Sequence, residues 1–270
     1  MISMTPFLFV VLLAVVENAV IPTDDTDNRI LGGEDASITE FPTMAFMFIV
    51  TKTDGPRQSG YKCGATIISE RWVLTAGHCV EGTISSNVTL RVGSENFNLG
   101  SIHHASRIII HEEFIHVEEY GILVNIENDI ALVEVKEPFL LNDFTIKAAT
   151  LASQDEDIPP GIPVTAVGWG GVSEYADTDI LQKANMVIIN KMECKRYYGP
   201  RTSIDRRNVC AQDPEVGRRT CGGDSGGPLF VGDVVVGVTS FGEKCVWYSG
   251  PPVFTNVAYF RDWITQKTGI

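Results

Sequence analysis

The chain has 270 residues, of which 44% are hydrophobic and 20% are charged, so its composition is that of a folded protein with one or two domains. Its formal net charge is −13 at pH 7, and it contains no run of basic residues. This composition argues against a nucleic-acid partner, because phosphate binding needs clustered lysine and arginine side chains.

Residues 1–19 contain an almost wholly apolar run at residues 6–16. Such a run is too short to cross a bilayer and predicts a secretory signal peptide that is cleaved near Ala19. The alternative is a membrane anchor, since no lysine or arginine precedes the run. Residues 20–29 form a short acidic leader. We therefore expect a secreted, extracellular protein with no membrane contact after the signal is removed.

Strand patterns dominate the rest of the chain. Alternating or continuous apolar residues predict strands at residues 88–92, 130–135, 164–167 and 234–238. Apolar residues that share one face predict a helix over residues 257–268. Glycine and proline separate these elements, and short strands of this kind are typical of a β-sandwich or a β-barrel.

Two segments in the first half of the chain carry candidate catalytic groups. Residues 75–79 contain His78, and residues 128–132 contain Asp129. An imidazole titrates near pH 6.5 and is the usual general base, while a buried carboxylate can fix its tautomer. The alternatives without a catalytic role are a structural histidine and an aspartate that caps a turn. The remaining histidines are predicted to be solvated loop residues: His103, His104, His111 and His116.

Ser225 lies in a glycine-rich bend, residues 222–227. Glycines permit positive φ angles, so such a bend can direct two main-chain N–H groups at one point. A serine beside these groups has a site for the negative charge that acyl transfer creates, provided that a neighbouring base activates its hydroxyl.

The chain order His78, Asp129, Ser225, together with the motifs around them, resembles the chymotrypsin–trypsin family of serine endopeptidases. The resemblance runs from about residue 30 to residue 270. The order differs from those of the subtilisins and the α/β-hydrolases, which disfavours an esterase or a lipase. Within the family, the chain resembles arthropod digestive or secreted chymotrypsin-like proteases.

The resemblance implies an all-β fold of two six-stranded antiparallel barrels followed by a C-terminal helix. A trypsin-like peptidase domain would occupy residues 30–270. Its first barrel would cover about residues 30–136, its second about residues 151–256, and its helix residues 257–268. The cleft between the barrels would hold the active site.

The resemblance also implies a Ser-His-Asp acyl-enzyme mechanism. In it Ser225 is the nucleophile, His78 the base and Asp129 the group that orients the base. The N–H groups of Gly223 and Ser225 would form the oxyanion hole, and Ser240 would bond to Asp129. No metal and no organic cofactor is expected.

The resemblance further implies a zymogen. Cleavage after Arg29 would create an α-ammonium group on Ile30, which would fold inward and pair with Asp224. The activating enzyme is expected to be another trypsin-like protease. Protein or peptide substrates, and protein protease inhibitors, are the other expected partners of a monomer.

Substrate selection is where the chain departs from the trypsin pattern. By resemblance, Arg219 stands at the base of the primary specificity pocket, followed by Thr220. Phe241 and Gly242 would line the wall and bind an extended peptide, and Pro252 occupies another wall position. Arg219 predicts that arginine substrates are rejected. Three alternatives stay open: an acidic substrate side chain, an apolar pocket with Arg219 turned aside, or a blocked pocket.

The six cysteines fit an oxidising compartment and allow fifteen pairings. The resemblance implies three disulfides: Cys63–Cys79, Cys194–Cys210 and Cys221–Cys245. Asn87 begins an Asn-Val-Thr sequence and is a glycosylation candidate. The alternative function, from another class, is a non-catalytic serine protease homologue that acts as a binding or regulatory protein.

Overall fold

The structure is a computed structural model that describes residues 33–55, 57–120, 122–171, 178–199, 202–213, 215, 218–242 and 250–270. The predicted signal peptide and leader lie outside the described residues, and so do Arg29, Ile30 and Cys245.

Strands are the main secondary structure of the described residues. The strands are β1 (Glu34–Asp35), β2 (Met44–Asp54), β3 (Arg57–Ile67), β4 (Trp72–Thr75), β5 (Val88–Val92), β6 (Ser101–Ile110), β7 (Ile115–Glu119), β8 (Ile122–Glu127), β9 (Ala131–Val135), β10 (Thr150–Leu151), β11 (Pro163–Gly168), β12 (Gln182–Ile188), β13 (Asn208–Gln212), β14 (Pro228–Val231), β15 (Val234–Phe241) and β16 (Val253–Asn256). The α-helices are α1 (Lys191–Tyr198) and α2 (Val257–Thr268), and a single 3₁₀ turn spans Ser85–Asn87.

The first barrel closes in the order β2, β3, β4, β9, β6, β5, and every neighbouring pair is antiparallel. The second closes in the order β12, β11, β14, β15, β16, β13, again antiparallel throughout. Strand β1 adds to β12, and β10 runs parallel to β15. The predicted fold of two six-stranded barrels and a C-terminal helix is confirmed.

Helix α2 follows the second barrel and has the predicted bounds. The Asn256 side chain accepts a hydrogen bond from the N–H of Ala258 and so caps the first turn, while Gly269 ends the helix in a left-handed conformation with φ 77°. Phe260 and Ile264 are buried on one face, which joins the helix to the core. Within the described residues, no helix is long and apolar enough to cross a membrane.

The predicted architecture of two barrels and a C-terminal helix includes neither helix α1 nor the hairpin of strands β7 and β8. Helix α1 buries only Cys194, so it has no apolar stripe to reveal it; its start is set by Asn190, whose side chain accepts from the N–H of Met192. Strands β7 and β8 pair antiparallel as a separate two-stranded sheet between β6 and β9. This hairpin stands beside the cleft described below.

Candidate active site

His78 lies in the turn that follows strand β4. Its Nδ1 atom is 2.8 Å from Oδ2 of Asp129, and its main-chain N–H donates to Oδ1 of the same carboxylate over 2.9 Å. The neighbouring Cys63–Cys79 disulfide ties this turn to strand β3. One carboxylate therefore holds both the ring and the backbone of His78.

Asp129 precedes strand β9 and is 3% exposed. The Ser240 hydroxyl donates to its Oδ2 atom over 2.5 Å, and the Thr255 hydroxyl donates to its main-chain oxygen over 2.7 Å. Both hydroxyls come from the second barrel, from strands β15 and β16. Asn128, just before it, has φ 51°, a left-handed conformation that asparagine tolerates better than most residues. The carboxylate is thus fixed across the interface between the barrels.

The electrostatics of the pair favour an ionised carboxylate beside a basic imidazole. Burial alone would raise the pKa of Asp129, but His78 and the Ser240 hydroxyl lower it below its ordinary value. Burial alone would lower the pKa of His78, but Asp129, Glu81 and Glu118 together raise it above its ordinary value. At neutral pH the arrangement can accept a proton on His78 and stabilise the resulting charge.

Ser225 lies in the bend before strand β14, and its position is set by main-chain bonds. Its carbonyl accepts from the N–H of Gly64 over 2.7 Å, and the N–H of Gly226 donates to the Thr239 carbonyl over 2.8 Å. Between Ser225 and His78, both described, the structure has no hydrogen bond, although both side chains line one cavity. The nucleophile candidate and the base candidate therefore share one cavity without a hydrogen bond between them.

That cavity has a volume of about 360 Å³ and lies where the two barrels meet. Its described lining consists of His78, His116, Glu118, Leu123, Ile126, Thr220, Cys221, Gly222, Ser225, Thr239, Ser240, Phe241 and Gly242. The lining draws on both barrels and on the β7–β8 hairpin.

The bend around Ser225 requires glycine. Gly223 has φ 98° and Gly226 has φ 79°, conformations that other residues rarely adopt. A Cβ on Gly226 would also collide with the Thr75 hydroxyl and the Gly64 carbonyl. The main chain at Gly226 must therefore lie close to strands β3 and β4. This close approach keeps the bend and its N–H groups in a compact turn.

Asp224 is 1% exposed and lies beneath this bend. Its carboxylate accepts from the N–H of Gly170 and from the N–H of Cys221, each over 2.8 Å. Burial raises its pKa to about 6, against the opposing effect of the two N–H groups and of the Lys62 charge. In the described part of the chain, no ammonium or guanidinium group lies within ion-pair distance of it.

Arg219 is 7% exposed, and its Nη1 atom donates to the Gly250 carbonyl over 3.5 Å. The cavity lining includes Thr220 but does not include Arg219 or Pro252 among the described residues. Pro252 is buried, and its Cα lies 3.6 Å from where a Cβ on Gly242 would stand. The Arg219 side chain is therefore buried beside the cavity rather than exposed within it.

The first two predicted disulfides are present, with S–S distances of 1.94 Å for Cys63–Cys79 and 2.05 Å for Cys194–Cys210. Cys221 is also disulfide-bonded, but its predicted partner Cys245 lies outside the described residues. The side chains of Cys63, His78 and Cys79 come within 4.8 Å of one another, yet both sulfurs belong to the disulfide and cannot bind a metal as thiolates. Asn87 is half-buried at the end of the 3₁₀ turn, so the glycosylation candidate is reachable from solvent.

The prediction that the other histidines are solvated loop residues is wrong for His103, His104 and His116, which lie on strands β6 and β7, whereas His111 lies outside the strands and is half-buried. His103 is buried in strand β6, and His111 packs against the aromatic rings of helix α2. His116 lines the cavity, with its Nδ1 atom 2.7 Å from Glu81 and its Nε2 atom 3.5 Å from Glu118. The alternation of apolar and polar residues at 115–118 is a strand signal that could have placed His116 on the polar face of a hairpin.

Two barrels that share a cleft, with an aspartate–histidine pair and a serine on it, define a serine-hydrolase type of site. Residues 30–264 match the family described as Trypsin, and the chain belongs to this family.

Relatives match along most of their length. The chain is similar to Brachyurin of Leptuca pugilator, with 36% identity over 245 residues that cover 89% of this chain and 99% of that protein. It is also similar to Trypsin of Phaedon cochleariae, with 33% identity over 90% of this chain and 89% of that protein.

Among solved structures, the chain resembles one titled HL collagenase, with a TM-score of 0.75 and 31% identity over 89% of this chain and 99% of that one. It also resembles the scabies mite inactivated protease paralogue S-D1, with a TM-score of 0.75 and 25% identity over 89% of this chain and 97% of that one.

Proposed function

We propose that the chain is a secreted serine endopeptidase that hydrolyses peptide bonds through an acyl-enzyme. The observation that carries this proposal is the His78–Asp129 pair on one cavity wall, with Ser225 on the same cavity. Ser225 attacks the scissile carbonyl while His78 takes its proton, and His78 then delivers that proton to the leaving amine. Asp129 stays ionised and orients the ring, and Ser240 positions Asp129.

Charge that develops on the carbonyl oxygen needs donors already in place. We assign this role to the N–H groups of Gly223 and Ser225, because the left-handed φ of Gly223 allows the bend to turn both groups to one side. The mechanism requires no metal and no organic cofactor.

The environment of Asp224 supports synthesis as a zymogen. A buried carboxylate is costly unless a cation pairs with it, and here burial raises its pKa to about 6. Cleavage after Arg29 would free the α-ammonium of Ile30, which can supply that cation and fix the Gly223–Ser225 turn. Residues 1–19 would be removed as the signal peptide and residues 20–29 as the propeptide, which leaves the peptidase domain at residues 30–270. The disulfides fit the extracellular space.

We propose that the primary specificity pocket does not select arginine or lysine side chains as a trypsin-like pocket does. Where a trypsin-like pocket would need a carboxylate the chain has Arg219, so a substrate guanidinium would find a like charge near the pocket rather than a partner. Because Arg219 is buried and bonded to the Gly250 carbonyl, the turned-aside alternative is favoured, which leaves an apolar pocket lined by Thr220, Phe241 and Gly242. Such a pocket would refuse Arg29, so activation would depend on another, trypsin-like protease. Protein substrates and protein inhibitors would be the partners of the monomeric enzyme.

The test is covalent labelling after activation. The purified zymogen is cut with bead-bound trypsin, the new Ile30 terminus is verified by mass spectrometry, and the product is treated with a biotinylated aryl phosphonate. We expect label on Ser225 in the activated protein, little label in the zymogen, and none in the Ser225→Ala variant processed in parallel. A peptide library should then show cleavage after apolar residues.

A second candidate function is binding without catalysis. Two observations favour it: the described residues show no Ser225–His78 hydrogen bond, and one similar structure is titled an inactivated protease paralogue. The same experiment separates the two functions. A protein that carries the Ile30 terminus but takes up no phosphonate would be a binding homologue.

A further inference from the structure

Arg207 joins the second barrel to the chain segment that leads into Asp129. It lies in the turn before strand β13, and its guanidinium is partly buried. Its Nη1 atom donates to Oε2 of Glu127 over 2.6 Å and to Oδ1 of Asn128 over 3.5 Å. Glu127 ends strand β8 and Asn128 follows it, so one side chain of the second barrel binds the two residues before the candidate orienting carboxylate.

The guanidinium is held in one orientation by its own turn. Its Nε and Nη2 atoms donate to the Asp205 carboxylate over 3.0 and 2.7 Å, and the main-chain N–H of Arg207 donates to the same carboxylate over 2.8 Å. The Arg207 carbonyl accepts from the N–H of Asn256, at the end of strand β16, over 2.8 Å. A planar group that donates to two carboxylates at once is a rigid link, which the single ammonium of a lysine cannot reproduce.

Asn128 has a conformation that needs such a link. It is 7% exposed and has φ 51°, a left-handed conformation that a residue other than glycine keeps only where its surroundings hold it. Its Nδ2 atom donates to the carbonyl of Glu113, in the loop after strand β6, over 2.6 Å, while its Oδ1 atom accepts from Arg207. The direction in which the chain enters Asp129 therefore depends on contacts from both barrels.

The relation between base and nucleophile depends on the same interface. Asp129 holds the imidazole base, whereas Ser225 precedes strand β14 of the second barrel. The hydroxyls of Thr255 and Ser240 already bond Asp129 itself to the second barrel. Arg207 adds an attachment at the two preceding residues, and so limits how far the whole segment can tilt against the barrel that carries the nucleophile.

We propose that Arg207 is a positioning residue for the proposed reaction. Through its bonds to Glu127 and Asn128 it fixes the Asp129 carboxylate, and with it the imidazole base, against the barrel that carries the nucleophile. The inference rests on the proposed function, because the base and the nucleophile are those of that site. It goes beyond that function by assigning a role to a side chain that is not among the described residues of the cavity lining.

The test measures how fast and how completely the activated protein takes up the aryl phosphonate. Saturation kinetics give the maximal labelling rate and the half-saturating concentration, and mass spectrometry gives the final labelled fraction. In Arg207→Lys we expect the maximal rate to fall by about tenfold or more, since misplacement of a catalytic group by about 1 Å can cost about a hundredfold. The half-saturating concentration should change by less than about twofold, and labelling should still run to completion, because the contacts of the reagent are untouched.

A second variant separates the effect of the bonds from the effect of charge. Arg207→Gln combined with Glu127→Gln removes the ion pair but keeps the net charge around the base, and it should lower the maximal rate by a similar factor. The matched control is Arg206→Lys, the same change one residue earlier, at an exposed guanidinium that lies over the Tyr259 ring. The control should label at the wild-type rate.

A wild-type maximal rate in Arg207→Lys, with only a smaller labelled fraction, would show that Arg207 supports folding alone and would overturn the inference. A wild-type rate in the double variant would assign the effect to charge, and an equal loss in Arg206→Lys would assign it to the turn as a whole; either result would also overturn it. A wild type that takes up no phosphonate refutes the proposed function itself, and this result is seen before any variant is compared.

Discussion

Two parts of the same cleft are built by different forces. The catalytic floor, which we name for its proposed role, consists of His78, Asp129, Ser225 and Ser240. It is organised around a carboxylate that is 3% exposed and bonded at both oxygens. The hairpin wall, by which we mean strands β7 and β8 together with Glu81, is organised around His116, whose acidic partners Glu81 and Glu118 are 48% and 54% exposed.

Buried, charge-assisted bonds are strong and costly to leave incomplete, whereas exposed ion pairs contribute about 0–1 kcal/mol. The difference predicts that changes in the floor abolish the proposed chemistry, while changes in the wall alter it modestly and at little cost in stability.

Asp129→Asn should have the largest effect. An asparagine amide can donate to Nδ1 of His78, which would place the ring proton on the wrong nitrogen, and it supplies no charge to stabilise the imidazolium. The same substitution in the Ser-His-Asp template of this family lowers kcat by about 10⁴-fold, and we take that magnitude over rather than derive it. The measurement is the second-order rate of phosphonate labelling at pH 7.5, with thermal unfolding recorded in parallel.

The control is Asp179→Asn, which alters an exposed carboxylate bonded to Asn98 away from the cavity. It should label at the wild-type rate. A loss below about tenfold in Asp129→Asn would mean that the buried carboxylate is not part of the reaction.

The hairpin wall should affect the pH profile modestly. Asp129, Glu81 and Glu118 raise the pKa of His78 above its ordinary value, so kcat/KM should decline on acidification with a midpoint above about 6.5. A raised histidine pKa also means that protonated His78 stabilises the fold at low pH, and that this contribution is lost as pH rises through the raised pKa. Glu81→Gln removes one exposed charge and should lower the midpoint by a few tenths of a pH unit, more at low salt than at high.

Glu193→Gln serves as its control, because it removes an exposed charge from helix α1, which does not line the cavity. A midpoint that moves equally in both variants would reflect net charge rather than the hairpin wall. A midpoint well below 6 in the wild type would contradict the role of His78 as base.

Elements with strong local patterns were predictable from the sequence. Residues 88–92 and 257–268 match strand β5 and helix α2, because alternation and helical periodicity are visible in a short window. Helix α1 was missed because it buries one residue and depends on an asparagine cap and a disulfide. The pairing of strands into two barrels came from family resemblance, since register depends on partners distant in the chain.

The residues of the candidate site also divide into those that local motifs indicate and those that depend on contacts distant in the chain. The motifs around His78, Asp129 and Ser225 are local and recognisable, although their roles stay predictions. The strand signal at residues 115–118 could have placed His116 on a hairpin but not beside the cavity, because its position there depends on Glu81, which is 35 residues away. The direction of the Arg219 side chain likewise depends on the fold around Gly250 rather than on neighbours in the sequence.

The smallest effect is expected where the first barrel meets helix α2, outside the cleft. Glu112 contacts the Lys267 ammonium and accepts from Nε1 of Trp263 over 2.9 Å; these bonds, Lys267 first, lower its pKa to about 2. A depressed carboxyl pKa means that the stability contribution is present above the unfolded value near 4.5 and is lost as pH falls toward 2.

Because Glu112 is more than half exposed, solvent screening limits the contribution to at most about 1 kcal/mol. Glu112→Gln should therefore lower the Tm by no more than about 3 °C at pH 7, and by progressively less as the pH approaches 2. Glu113→Gln, at the exposed neighbouring position, should leave the Tm unchanged at every pH. An equal loss at pH 7 and at pH 2.5 in Glu112→Gln would assign the effect to packing against Trp263 rather than to charge. Wild-type phosphonate labelling in Glu112→Gln would show that charge pairs outside the cleft do not control the catalytic floor.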